Sequence, residues 1–354
     1  MSEDKGMWPE WLGLKPARTA DAPERPGGAI PSAESSSGRP EQARRPRLGV
    51  ALGGGAARGW AHIGVLRALA RAGYKPDIVV GTSIGAVVGG CFAAGKLDEL
   101  EAFARSLTKS RVLWLMDFHL GSGLISGDRL KRLLERDLEG LTIEGLAPRF
   151  AAVATELRTG HEIWLTRGPL VEALRASYAL PGIFDPVRLG GRWLFDGALV
   201  NPIPVTTTRA LSAELVVAVN LNADMFGRGT VIPDHGGATP AEPPQEEIAE
   251  TIAEGLFSPM LGAARSFGQK LGRRSETGPG IATVMVDAFN ITQDRIARSR
   301  MAGDPPDVHV KPKLGRIGLF DFHRAEDAIA LGEQAMGHAL AELDAAAQML
   351  AGDA

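Results

Sequence analysis

An α/β fold built around a parallel sheet is predicted by three stretches of this sequence. In the first, the apolar run Leu48-Gly49-Val50-Ala51-Leu52 passes through Gly53-Gly54-Gly55-Ala56-Ala57-Arg58-Gly59 into a helical pattern from Trp60 to about Ala72. In the second, Asp77-Ile78-Val79-Val80 passes through Gly81-Thr82-Ser83-Ile84-Gly85 into a run of small apolar residues ending at Ala94. The third, Leu215-Val216-Val217-Ala218-Val219, is near-continuous in β-branched residues, as a strand of a parallel sheet is when both its faces are covered.

At 354 residues and 44% apolar composition, the chain can bury a substantial core as one large domain or two small ones. A net charge of -3 provides no basic field for nucleic acid, so none is expected as a partner. The single cysteine, Cys91, excludes an intrachain disulfide, argues against a cysteine-based zinc site and reads as a small buried hydrophobe. The seven histidines form no HExxH pattern, and neither a metal nor another cofactor is predicted.

Residues 1–45 read as a disordered tail. Pro16, Pro23, Pro26, Pro31, Pro40 and a small polar run at 32–38 leave no sustained apolar period to offset the entropy of ordering. No basic n-region with an apolar h-region is present, which predicts a cytoplasmic protein. The domain itself is expected over 46–350. Ile63, Val65, Leu66, Leu69 and Ala70 form the apolar face of its first helix. Ile78 to Gly95 is uncharged and about as long as a membrane span, but its glycines and central Thr-Ser pair read as strand, turn and helix. Helices follow over Leu97 to Leu107 and Gly127 to Leu138, the second with Leu130, Leu133, Leu134 and Leu138 on one face. The glycine-broken apolar segment between them, Val112 to Ile125, is open to two readings: the wall of a hydrophobic substrate channel, or ordinary packing.

Phe150 to Thr155 reads as a central strand with Glu162 to Leu165 as hairpin partner. A helix over Val171 to Ser177 breaks at Leu180-Pro181-Gly182, and Arg192 to Asp196 is a strand that ends in Asp-Gly. A mobile loop and helical section is expected over about 224–300. Asp224 to Gln245 is its glycine- and proline-rich loop, and Ile248 to Arg274 is a helix kinked at Pro259. That helix ends in Lys270, Arg273 and Arg274. It reads either as a peripheral contact at the inner membrane face or as a helix packed over the functional site. Val308-His309-Val310 is a last strand, and Ala325 to Leu350 a closing helix.

Three motifs carry chemistry. A serine between glycines, after a strand and before a helix, is the pattern of a nucleophile elbow, with Gly81 and Gly85 relieving the clash of so sharp a turn and Ser83 Oγ projecting from it. The glycine loop has neither the Lys-Ser/Thr of a phosphate loop nor the third glycine of a dinucleotide fingerprint, because Arg58-Gly59-Trp60 stands there. An oxyanion hole fits better, with Gly53, Gly54, Gly55, Ala56, Arg58 and Gly59 as candidates, since glycines bring backbone N–H groups close to a developing negative charge. Arg58 either adds positive charge or binds a neighbouring carboxylate. Asp196, where a strand ends and the chain turns, can accept the serine proton as general base.

In this order, the glycine loop, Gly81-Thr82-Ser83-Ile84-Gly85 and Asp196-Gly197-Ala198 resemble the patatin-like phospholipases, and most closely the bacterial branch related to neuropathy target esterase. The likeness continues through Ala179-Leu180-Pro181-Gly182-Ile183-Phe184 and Asn201-Pro202-Ile203-Pro204 and covers roughly Arg47 to the last helix. It implies a three-layer α/β/α fold with a mostly parallel central sheet, a dyad of Ser83 and Asp196, and an oxyanion hole in the glycine loop. Ala198 stands where many relatives have a second glycine. The expected reaction is hydrolysis of fatty-acyl esters of phospholipids or lysophospholipids through an acyl-enzyme, with a lipid ester as partner and the oligomeric state open. Two alternatives stand beside it. Ser83, Asp196 and His309 or His323 follow the chain order of an α/β-hydrolase triad, and a low-turnover lipid-binding regulatory protein could keep the same fold.

Overall fold

The computed structural model describes residues 45–115, 127–225 and 281–352. The tail, the 224–245 loop beyond Met225 and the kinked helix expected over 248–274 lie outside the described residues, as does 116–126.

The described strands form one eight-stranded sheet in the order β5-β6-β3-β2-β1-β7-β8, with β4 paired to β3. These are β1 (Leu48–Leu52), β2 (Ile78–Thr82), β3 (Arg149–Glu156), β4 (Glu162–Leu165), β5 (Val187–Leu189), β6 (Arg192–Asp196), β7 (Leu215–Val219) and β8 (Val308–Val310). Strands β3, β2, β1, β7 and β8 run parallel, while β4, β5 and β6 join antiparallel at one side. The sheet is therefore mostly parallel, and the hairpin expected of β3 and β4 is present. All five residues of β1, β2 and β7 are buried, which their apolar runs require of strands covered on both faces.

Alternation along the strands feeds two cores. Leu48, Val50 and Leu52 pack on one face with α1 (Ala61–Arg71), α2 (Ile84–Ala93), α3 (Leu97–Arg105), α4 (Lys109–Leu115), α5 (Asp128–Leu138), α6 (Leu170–Tyr178) and the last helix. Ala51, Val80, Val153 and Val216 pack on the other with α7 (Val205–Ala210) and α8 (Ile281–Gly303). Helix α9 (Ala325–Gly352) closes the chain against α1. The result is the three-layer α/β/α arrangement.

Three of the elements that are not legible in the sequence show why. Helix α7 is Val-Thr-Thr-Thr-Arg-Ala, poor in helix propensity, but Thr207 and Thr208 are fully buried and Thr208 Oγ1 bonds Pro204 O, so tertiary burial decides its state. Strand β5 is only three residues long. Helix α8 shows little apolar period because its buried face is polar: Asn290, Gln293 and Asp294 are all at most 6% exposed.

Candidate active site

Ser83 is the single residue between β2 and α2, at φ 58° and ψ −127°. Positive φ in a non-glycine residue stores strain and persists only where its surroundings enforce it. The neighbouring glycines do so. A Cβ on Gly81 would stand 2.3 Å from Gly85 O, and one on Gly85 would stand 2.2 Å from Leu52 O. The elbow can thus press onto its own helix and onto the end of β1 only because both positions lack side chains. A latch missed in the sequence completes it: Ser83 N donates to Ser177 Oγ at 2.9 Å, and Ser177 Oγ donates to Val153 O at 2.6 Å. The available signal was a serine on the apolar face of α6, where a buried hydroxyl must find partners.

Asp196, 2% exposed, ends β6. Its Oδ2 accepts from Ser83 Oγ at 2.6 Å and its Oδ1 from Ala198 N at 2.8 Å. Its backbone is held as firmly, with Thr155 Oγ1 donating to Asp196 O and Asp196 N donating to Ala179 O. Gly197 is required by close approach, since a Cβ there would meet Val153 O at 2.3 Å. Burial pushes the carboxyl from 3.8 up to about 7, against the bonds from Ser83 and Ala198 that pull it down.

Most amides of the glycine loop are already engaged. Gly53 N donates to Val219 O, Gly54 N to Pro202 O, Ala57 N to Leu319 O and Arg58 N to Gly55 O. Gly55 N and Ala56 N have no hydrogen-bond partner among the described residues, and both residues line the cavity beside Ser83. Gly59 lets the loop pack on the elbow, where a Cβ would stand 2.2 Å from Ile84 Cγ1. Arg58 is 1% exposed and does not line the cavity; its Nε donates to Ile317 O and its Nη1 to Asn222 Oδ1. Its visible work is to tie the loop to neighbouring segments. His62, held neutral by burial that drives its pKa to about 4, donates Nε2–H to Gly53 O at 2.8 Å.

The cavity, about 180 Å³, has Gly55, Ala56, Ser83 and Asp196 in its wall and is otherwise mainly apolar. Ile84, Val87 and Cys91 line it along one face of α2, and Leu130, Leu134 and Leu138 along one face of α5. Val112 and Leu115 also line it, and both belong to the packing of the main core, so the described start of that segment serves both readings. Phe289 and Gln293 of α8 reach it from the other side. Among the described residues no histidine lines it. His309 lies on β8, separated from β2 by β1 and β7. Among the described residues no cluster suited to a metal ion occurs, and no helix is long and apolar enough to cross a membrane.

Fold and site together define a class, and comparison with known proteins names it. The patatin family, described as patatin-like phospholipase, matches residues 50–209, which include the glycine loop, the elbow and Asp196. An uncharacterised NTE family protein of Mycobacterium bovis is 33% identical over 337 residues, covering 83% of this chain and 91% of the relative. The chain belongs to this NTE family of patatin-like proteins, a family of lipid ester hydrolases. Some longer relatives match half of it. A patatin-like phospholipase domain-containing protein of Caenorhabditis elegans is 36% identical over 50% of this chain and 14% of its own length. A protein of Emericella nidulans named lysophospholipase is 29% identical over 50% of this chain and 12% of its own.

Proposed function

We propose that this protein is a serine acyl hydrolase that cleaves fatty-acyl esters of phospholipids or lysophospholipids through a Ser83–Asp196 dyad. The observation that carries the proposal is the 2.6 Å hydrogen bond from Ser83 Oγ to a buried carboxylate in the wall of an apolar cavity. As Ser83 Oγ attacks the ester carbonyl, Asp196 takes its proton. Gly55 N–H and Ala56 N–H, which have no partner among the described residues, stabilise the oxyanion. Collapse of the tetrahedral intermediate expels the alcohol, which recovers the proton from Asp196. Water, deprotonated by Asp196, then attacks the acyl-enzyme and releases the fatty acid and Ser83. The acyl chain lies along the apolar groove between α2 and α5.

The direct Ser83–Asp196 contact supports a dyad over a triad, since both carboxylate oxygens already have donors and no histidine among the described residues lines the cavity. A fluorophosphonate probe tests the proposal, with labelling of folded protein expected and its abolition expected in Ser83→Ala. Folded protein that takes no label overturns the enzyme reading in favour of a lipid-binding one. Hydrolysis of a panel of lipid classes, with Asp196→Asn as control, assigns the headgroup.

A further inference from the structure

Most glycines around the nucleophile are demanded by packing. A Cβ at Gly53, Gly55, Gly59, Gly81, Gly85 or Gly197 would come within 2.8 Å of a neighbouring atom. Gly54 differs. A Cβ there would meet Ala198 Cβ at 3.4 Å, Gln293 Oε1 at 3.5 Å and Ser83 Cβ at 3.5 Å, all ordinary van der Waals contacts. The folded protein has room for alanine at this position, and its absence leaves a gap one methyl group wide between the nucleophile and Gln293.

Gln293 is the second observation. It is 3% exposed and lines the cavity from α8, and its amide oxygen Oε1 is buried with no hydrogen-bond partner among the described residues. A buried amide costs free energy unless its bonds are made, so an unbonded one beside a reacting group is kept for a ligand. An amide can turn about its last bond, so either its oxygen or its NH₂ can face the gap. Beside a carbonyl that acquires negative charge, the NH₂ is the favoured end.

We propose that the space over Gly54 receives the scissile ester carbonyl, and that Gln293 Nε2–H donates to its oxygen as a third oxyanion donor with Gly55 and Ala56. Gly54 is glycine because the substrate, and not the fold, occupies the place of its side chain. The inference rests on the serine hydrolase reading and adds a catalytic group contributed by a helix outside the family's glycine loop.

Gln293→Met keeps the length of the side chain and removes both polar atoms. Its rate of fluorophosphonate labelling and its kcat on p-nitrophenyl butyrate should fall about 100-fold or more, with KM changed little. Its melting temperature should not fall, because the buried Oε1 has no hydrogen bond among the described residues to lose. Gly54→Ala should fold with parental stability and also label slowly, since its methyl fills the gap. Parental labelling rates in a folded Gln293→Met, or in Gly54→Ala should Gln293→Met fail to fold, overturn the inference. Parent protein that does not label at all removes the hydrolase reading beneath it, so the two failures are distinguishable.

Discussion

At the scale of single residues, the site turns on the cost of burying one carboxylate. Asp196 has an ordinary pKa of 3.8 and is pushed to about 7, chiefly by desolvation. In the proposed mechanism only the ionised form takes the serine proton, so kcat/KM should rise with pH through a midpoint near 7. Stability should move the opposite way. Between pH 4 and 7, roughly, folded protein keeps a proton that the unfolded chain gives up, so stability falls as pH rises across that window and stays low above it. Asp196→Asn, neutral at every pH, should therefore be inactive yet melt higher than the parent at pH 8, with the gain shrinking as pH falls below 7. Parallel pH–rate and thermal-melt series check both directions. The sequence showed that Asp196 could be a base, because a strand ended there in Asp-Gly. Its pKa was beyond the sequence, since desolvation is set by residues that the chain brings together from far apart.

At the scale of elements, the elbow is the part most fully written in the sequence. Gly81 near the end of β2, Ser83 between the two elements and Gly85 in the first turn of α2 stand as their spacing requires. Strain at Ser83 is held by backbone pressed against backbone, which makes the glycines intolerant. Gly81→Ala would bring a Cβ to 2.4 Å from Ala86 Cα as well as against Gly85 O. We expect this variant to lose about 3 kcal/mol or more in urea unfolding and to take no fluorophosphonate label. Ser177 was less legible. A single serine in α6 announces a buried hydroxyl but not its partners, and its bond to Ser83 N spans 94 residues. Helix α8 was less legible still, since burying Asn290, Gln293 and Asp294 leaves it without the apolar period by which amphipathic helices are recognised.

At the scale of the whole molecule, the glycine loop and the last helix are locked together through α1. A Cβ on Gly64 of α1 would stand 1.9 Å from Ile329 O, and one on Gly332 of α9 would stand 2.0 Å from Ala61 O. The two helices meet backbone to backbone, each filling the other's missing side chain. Gly332→Ala should therefore destabilise the protein by about 1–3 kcal/mol and speed amide exchange along α9. Gly337, on the same helix, has nothing within 4 Å of an added Cβ, and Gly337→Ala should stabilise by about 0.5–1 kcal/mol through helix propensity. Denaturant titrations of the pair separate contact from propensity.

The sequence by itself determined every described strand but β5, the elbow and the order of its three motifs, because these depend on residues close in the chain: apolar runs, turn glycines, a serine and an Asp-Gly. Tertiary structure decided which loop amides remain free, how far Asp196 is from water, and that Gln293 stands across a gap from Ser83. Those properties belong to the space between elements, and local sequence carries no record of what fills it.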